Sequence, residues 1–283
     1  MVDKDVSITV LSDSRAAYGL ESEHGFALWI ETGGHSILFD AGASPVMTRN
    51  ADHLGIDLSL ADRVALSHGH YDHTGNLSEI LSKAPRAELF LHPECMKERY
   101  SIHSEPRQIG MGVESAEAVK AMPTLRCNWV TEPVQIAHGV WLTGPIPRET
   151  AFEDAGGPFF DDPDGKYADS IPDDQSLWIE TDSGIVVCLG CCHSGVINTL
   201  RYITKVSRRK SIFAVVGGMH LQHSDRSRLE KTTDELGLFG LTHIYPCHCT
   251  GDAAVEILAE KFGASIKPGY AGLRVMIGKE FWG

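Results

Sequence analysis

The sequence has no run of five or more basic residues, and its formal net charge at pH 7 is −13. An acidic chain repels a phosphate backbone, so we exclude nucleic acid as a general partner. Long apolar runs are also missing: residues 184–189 are among the longest, whereas a bilayer span needs about 20 residues. We therefore expect no membrane partner. No internal repeat is evident, which excludes a solenoid.

The first residues, MVDKDVSITVL, lack a basic segment followed by a long apolar stretch. We therefore expect no signal peptide and a cytoplasmic location. The seven cysteines are odd in number, and several of them lie beside histidines. These features favour reduced thiols over a disulfide framework. The sequence leaves open whether the chain forms a homo-oligomer.

The hydrophobic pattern changes along the chain. The first half is rich in strand signals, such as residues 6–11 and 26–31, and from Leu177 onward strands alternate with helices. Two sheets with helices on their outer faces accommodate both halves. The sequence therefore predicts an α/β fold, a four-layer αββα sandwich in one domain. Residues 95–125 are less regular and could form a mobile lid, and residues 145–168 form a long loop that we expect at an active site.

The strongest chemical signal is SHGHYDHTG at residues 67–75, which places three histidines and one aspartate within six residues. It directly follows a predicted strand, where a loop can turn side chains inward. His68 and His70 could converge on one ion, and Asp72 and His73 could reach a neighbouring position. Imidazole and carboxylate ligands suit zinc, manganese and iron. The stretch predicts a site for one or two metal ions, with Zn²⁺ expected first and Mn²⁺ or Fe²⁺ as alternatives.

Three later histidines lie where predicted strands end: His193 in GCCHSG, His220 in GGMHL and His248 in CHCTG. Ligands bind outside the carboxyl ends of strands in open α/β sheets. We therefore expect these histidines near the pocket of the first motif, with His193 and His248 as further metal ligands.

These motifs resemble the signature of the metallo-β-lactamase superfamily. ILFDAG at residues 37–42 resembles the early strand of that superfamily, whose aspartate supports the metal-binding loop without contacting the metal; this implies the same role for Asp40. Most of the chain resembles one branch, the 7,8-dihydropterin-6-ylmethyl-4-(β-D-ribofuranosyl)aminobenzene-5'-phosphate synthase-like proteins. The matching pieces are, in chain order, GLESEHGFALWIE, SHGHYDHTGN, GPIPRETAFE, DDQSLWIET, GCCHSGVINT, GGMHL and CHCTG.

The sequence departs from the superfamily pattern in two places. The usual third motif, His-x-x-Gly-His, is absent, and residues 146–150 stand near where it would fall. The usual bridging aspartate is also absent; Cys191 occupies its place, and His193 follows two residues later. Either residue could replace the aspartate, and we favour His193 as the ligand and Cys191 as a supporting residue. The resemblance implies His248 as the last ligand and His220 as a proton donor, with a ligand role as its alternative.

A metal ion activates the water that it binds and polarises a phosphoryl or carbonyl oxygen. Asp72 would then shuttle the proton of the water, and His220 would protonate the leaving group. Arg148 is a candidate anion clamp, and His92, at a strand end, is a candidate to face the pocket.

The sequence thus predicts a metal-dependent hydrolase or transferase that acts on a phosphorylated or otherwise anionic small molecule. The resemblance implies a pterin-related reaction, the condensation of a pterin diphosphate with a ribosylated aminobenzene phosphate. The alternatives are a non-catalytic ligand-binding or sensor protein and a redox protein, both on the same fold.

Overall fold

The computed structural model describes residues 5–209 and 211–278. Within these ranges the strands are β1 (Val6–Ser12), β2 (Ala27–Thr32), β3 (His35–Phe39), β4 (Arg63–Ala65), β5 (Glu88–Leu91), β6 (Tyr100–Ile102), β7 (Pro106–Gln108), β8 (Cys127–Trp129), β9 (Val134–Ala137), β10 (Val140–Leu142), β11 (Phe159–Phe160), β12 (Leu177–Thr181), β13 (Gly184–Leu189), β14 (Ile212–Gly218), β15 (His243–Cys247) and β16 (Arg274–Ile277).

The α-helices in the same ranges are α1 (Val46–His53), α2 (Tyr71–Thr74), α3 (Leu77–Lys83), α4 (Val113–Ala121), α5 (Val196–Ser207), α6 (Arg226–Leu236) and α7 (Asp252–Phe262). Among the described residues, no helix combines the length and the apolar character that crossing a membrane requires.

Two large sheets pack face to face. The first has the strand order β16-β1-β2-β3-β4-β5-β8, and the second has the order β15-β14-β13-β12-β10-β9. Alternate residues of each strand enter the core between them, such as Val6 and Ile8 of β1 and Val186 and Cys188 of β13. Successive side chains of a pleated strand point to opposite faces of the sheet, so only alternate residues of a strand enter the same core.

Helices cover the outer face of each sheet. Met47 of α1 and Ile80 of α3 pack in the core on the outer face of the first sheet. Leu200 of α5, Leu229 of α6 and Leu258 of α7 pack in the core on the second. The predicted four-layer αββα sandwich is therefore confirmed.

Several elements escaped sequence analysis. The strands β6, β7 and β11 form a third, three-stranded sheet, and α4 lies in the segment predicted to be irregular. These strands have only two or three residues each, and none of their side chains is fully buried, so they carry no hydrophobic alternation. Residues 95–125 are therefore built largely from regular elements, and movement of this segment as a lid stays a prediction.

Parallel pairing brings the chemical motifs to one edge of the sandwich. The strands β13, β14 and β15 are parallel neighbours, and His193, His220 and His248 follow their carboxyl ends. The strands β3 and β4 are also parallel, and Asp40 and His68 follow theirs. The carboxyl ends of parallel strands share an edge, so residues distant in sequence meet there.

The long loop 145–168 is tied to the second sheet by a capping carboxylate. Glu153 accepts hydrogen bonds from the backbone N–H groups of Ile197 and Asn198, both at 2.9 Å, in the first turn of α5. The residue before this helix, Gly195, has no side chain to do so. Glu153 also accepts from the hydroxyl of Thr150 at 2.9 Å. A residue distant in sequence thus satisfies donors that a helix normally leaves free.

We expect Glu153→Ala to lower the free energy of unfolding by about 1–2 kcal/mol, because three donors lose their acceptor. Burial raises the pKa of the Glu153 carboxyl because it disfavours the charged form. The stability lost in the variant is therefore smaller than it would be for a charged cap without that cost. Urea denaturation followed by circular dichroism measures the change. The exposed Glu149→Ala in the same loop is the control and should leave stability unchanged; equal effects of the two variants would contradict the capping role.

Candidate metal centre

Three buried histidines converge at the shared edge of the sheets. One ring nitrogen each from His68, His70 and His193 lies within 4.8 Å of the other two. In the part of the chain that the structure describes, none of the three Nε2 atoms has a hydrogen-bond partner, although all are buried. Buried nitrogen atoms without partners are costly unless something else binds them.

The second nitrogen of two of these rings is already engaged. His193 donates from Nδ1 to the carbonyl of Ala155 at 2.8 Å, which leaves the lone pair on its Nε2 free. His68 Nδ1 lies 2.9 Å from the hydroxyl oxygen of Ser67. This is how metal-binding histidines are usually held, because the outer contact fixes the tautomer and the ring orientation.

A second group of candidate ligands lies next to the first. It contains Asp72, His73, Cys191 and His248, and their ligand atoms also fall within 4.8 Å of one another. The Nε2 of His248 is 3.2 Å from a carboxylate oxygen of Asp72, and His73 Nε2 is 3.1 Å from Cys191 Sγ. Carboxylate, imidazole and thiol together form a donor set that suits a divalent transition metal.

Cys191 connects the two groups, because it also lies within 4.8 Å of His193 and His220 as part of a third set. The sequence favoured His193 in the bridging place and Cys191 as a supporting residue. The geometry brings His193 into the three-histidine group and places Cys191 between the groups, next to a sharp backbone turn at Cys192 (φ 62°). Which of the two binds a metal stays a prediction.

The carboxylate of Asp40 contacts the candidate metal-binding loop, residues 67–75. One of its carboxylate oxygens accepts from the backbone N–H of Ser67 at 2.6 Å. The other accepts from His73 Nδ1 and from the Ser67 hydroxyl, both at 2.7 Å. All three residues are buried, so these hydrogen bonds are shielded from water. Asp40 therefore contacts the candidate ligand His73, and its role as a support of the metal-binding loop stays a prediction.

Two adjacent aspartates before β12 fix both loops. Asp173 accepts from the backbone N–H of Gly69 at 2.8 Å and pairs with the fully buried Arg99. Asp174 accepts from the backbone N–H of His193 at 3.0 Å. Both aspartates belong to the segment DDQSLWIET, and the sequence signal that could have identified them is a pair of aspartates directly before a buried strand.

Burial controls the protonation of the site. It lowers the pKa of His68 and His193 well below the usual range and that of His70 to about 3, so these rings are neutral at pH 7. Burial also opposes a charged His248, but the neighbouring Asp72 outweighs it and raises the pKa of His248 to about 9. Three neutral imidazoles can donate lone pairs to a cation without first losing a proton.

A cavity of about 370 Å³ opens over these groups. Its lining includes His70, Asp72, His193, His220 and His248, together with parts of the long loop and of the β6–β7 hairpin. The volume is that of a small-molecule site. His220 donates from Nε2 to the carbonyl of Gly156 at 3.3 Å, so the long loop does border the cavity.

Two predicted substrate-binding residues lie elsewhere. Arg148 does not line the cavity; its guanidinium donates to the backbone carbonyls of His193 and Ser170. It therefore braces the loop behind the site. His92 does not line the cavity either, because its Nδ1 accepts from the backbone N–H of Glu94 at 3.2 Å and caps a short 3-10 turn.

Comparison with known proteins identifies the family. A sequence model of the metallo-β-lactamase superfamily matches residues 22–202. The chain belongs to the metallo-β-lactamase superfamily.

Several similar proteins match nearly the whole chain. A 7,8-dihydropterin-6-methyl-4-(β-D-ribofuranosyl)-aminobenzene-5'-phosphate synthase of Methanocaldococcus jannaschii is 28% identical, over 95% of each chain. An uncharacterized protein of the same organism is 31% identical, over 89% of this chain and 94% of its own. The solved structure of Tm1679, described as a metal-dependent hydrolase of the β-lactamase superfamily, is 34% identical with a TM-score of 0.84, over 97% of this chain and 100% of its own.

A metallo-β-lactamase fold implies a divalent metal, and the residues present fit one. The fit rests on the three buried Nε2 atoms without partners and on a second, mixed donor set beside them. Two groups of ligands accommodate one or two ions. In place of the usual aspartate, the shared position carries a cysteine, which adds a soft donor to an otherwise hard or borderline set.

We expect Asp40→Asn to weaken metal binding by about 10- to 100-fold, because an amide would present N–H groups where His73 and Ser67 need an acceptor. Competition with a chelating dye measures the affinity. The exposed Asp52→Asn on α1 is the control and should leave affinity unchanged. An unaltered affinity in Asp40→Asn would contradict the supporting role of this carboxylate.

Proposed function

We propose that this protein is a metal-dependent enzyme that hydrolyses or transfers a phosphorylated or otherwise anionic small molecule. The observation that carries the proposal is the meeting of two candidate ligand groups at one cavity of small-molecule size. Ligand groups that serve only structure are usually closed, whereas catalytic sites keep access for substrate. Here His70, Asp72, Cys191, His193 and His248 all line the cavity.

The bound ion would supply Lewis acidity to a phosphoryl or carbonyl oxygen and would make water more acidic. Zn²⁺ is our first expectation, since imidazole, carboxylate and thiol all suit it, and Mn²⁺ or Fe²⁺ are the alternatives. An ion is also the largest local charge in such a site, so it would attract an anion despite the acidic chain.

The chain supplies groups that can hold and move protons. Asp72 has a carboxylate oxygen 3.2 Å from His248 Nε2 and 3.7 Å from His73 Nε2. The carboxylate can therefore hold a proton-donating imidazole at the floor of the cavity. His220 lies beside His193, with ring centroids 4.2 Å apart, and its Nδ1 is buried without a partner among the described residues. We assign His220 the transfer of a proton to the leaving group.

The named relatives support two reaction types. The synthase of Methanocaldococcus jannaschii favours transfer to a ribosylated aminobenzene phosphate, and Tm1679 favours hydrolysis. Both reactions expel an oxyanion, which the same metal centre would stabilise. A pterin-related substrate is the more specific form of the proposal, and Phe159, whose ring centroid is 5.3 Å from that of His70, offers a face for a planar ring.

Metal analysis and turnover together test the proposal. We expect the purified protein to contain one or two divalent ions per chain by mass spectrometry and to hydrolyse bis(p-nitrophenyl) phosphate or p-nitrophenyl phosphate. His70→Ala should lose bound metal and reduce turnover by roughly a hundredfold or more. Chelation of the wild type followed by return of the metal should abolish and then restore activity.

The exposed His53→Ala on α1 is the matched control and should retain metal and turnover. Absence of metal from the protein after growth and reconstitution in Zn²⁺, Mn²⁺ and Fe²⁺ would refute the proposal. The alternative of a binding or sensor protein would be favoured if metal-bound protein retained a ligand and converted neither that ligand nor any phosphate or pterin substrate offered to it.

A further inference from the structure

Arg107 lies at the mouth of the cavity, on strand β7 of the small third sheet. Its Nη2 donates to the hydroxyl of Tyr71 at 3.3 Å, and its Cζ lies 5.2 Å from the centroid of the Tyr71 ring. Tyr71 is the residue between His70 and Asp72, both candidate metal ligands. The guanidinium is thus tied to the metal-binding loop by one hydrogen bond and one cation–π contact.

Among the residues that the structure describes, Arg107 lines the cavity without a carboxylate partner. Arginines elsewhere commonly pair with carboxylates, as Arg49 does with Glu21 and Arg201 does with Glu235. Within residues 5–209 and 211–278, no carboxylate lies within 4.0 Å of the Arg107 guanidinium nitrogens. Glu105 lines the same cavity two residues earlier but makes no such pair. A positive charge therefore remains available at the cavity mouth.

The guanidinium also keeps most of its hydrogen-bonding capacity. It has five N–H donors in a planar fork, and the contact with Tyr71 uses one nitrogen. Such a fork binds two oxygens of a phosphate or carboxylate at once. His103, from the same hairpin, also lines the cavity and can add a further donor. The Nε2 of His24 lies 3.5 Å from a carboxylate oxygen of Asp72, so His24 belongs to the metal centre instead.

The geometry points to Arg107 as the binding residue for a second anionic group of the substrate, separate from the group at the metal centre, with Tyr71 as its positioning residue. The inference rests on the proposed function only in assuming that the first anionic group of the substrate binds at the metal centre. It specifies the substrate class: small molecules that carry two phosphate or carboxylate groups joined by a short spacer. A substrate with a single anionic group would leave the Arg107 fork without a ligand.

Non-hydrolysable phosphonates test this inference by binding rather than by activity. Alkane-1,ω-bisphosphonates with two to five carbons are titrated into the metal-loaded protein by calorimetry, and alkyl monophosphonates of the same length serve as the comparison. We expect one spacer length at which the bisphosphonate binds at least roughly tenfold more tightly than its monophosphonate. Arg107→Ala should remove that preference and leave monophosphonate affinity within about twofold.

Two further variants separate charge from positioning. Arg107→Lys should retain part of the preference, because an ammonium keeps the charge but loses the fork. Tyr71→Phe should reduce the preference without abolishing it, because the ring remains while the hydroxyl contact is lost. Arg49→Ala, exposed and paired with Glu21, is the matched control and should bind as the wild type does. Metal content measured on each sample should be unchanged.

The outcomes distinguish this inference from the proposed function. Equal preference for the bisphosphonate in the wild type and Arg107→Ala, or no bisphosphonate binding at any spacer length, would overturn the role of Arg107. A protein that takes up no metal, or a metal-loaded protein that binds no monophosphonate, would instead contradict the proposed function. In that case a bisphosphonate affinity that still falls in Arg107→Ala would support the anion site on its own.

Discussion

The Nε2 atoms of His68, His70 and His193 are buried against one another, and no hydrogen bond within the described residues offsets their loss of water. Burial also lowers the pKa of these rings and keeps them neutral, so their Nε2 lone pairs carry no proton and face one another. Such an arrangement is costly in a protein interior, and a cation is the partner that three converging lone pairs can share. The surrounding fold is organised to keep the rings in place despite that cost.

Buried carboxylates provide most of this support. Asp40 binds the backbone and side chain of Ser67 together with His73, Asp173 binds the metal-binding loop at Gly69, and Asp174 binds the backbone at His193. Each carboxylate accepts donors from a loop distant in sequence, and Asp173 is in turn balanced by the buried Arg99. Charge-assisted hydrogen bonds in a dry environment are strong and directional, so they can hold loops that have little regular structure of their own. The strained backbone at Asp40, with φ 65°, is consistent with a position fixed by such contacts.

Cys191 gives this centre its particular chemistry. A thiol lies where both ligand groups can reach it, 3.1 Å from His73 Nε2 and close to His193 and His220. A sulfur donor favours softer metals than an aspartate does.

The sequence by itself determined the fold class and most of the candidate ligands. Period-two alternation in β1 and the short apolar run of β13 indicate the strands, and the spacing of His68, His70, Asp72 and His73 indicates a metal-binding loop, because these signals are local along the chain. The sequence could not show that Arg148 binds backbone carbonyls and that His92 caps a short turn, because the orientation of a side chain depends on the packed surroundings. Likewise, only the tertiary structure decided that His193 joins the three-histidine group, that Cys191 lies between the groups and that Arg107 reaches the cavity mouth. Those positions follow from the parallel order of β13, β14 and β15 and from the packing of short strands whose sequences carry no periodic signal.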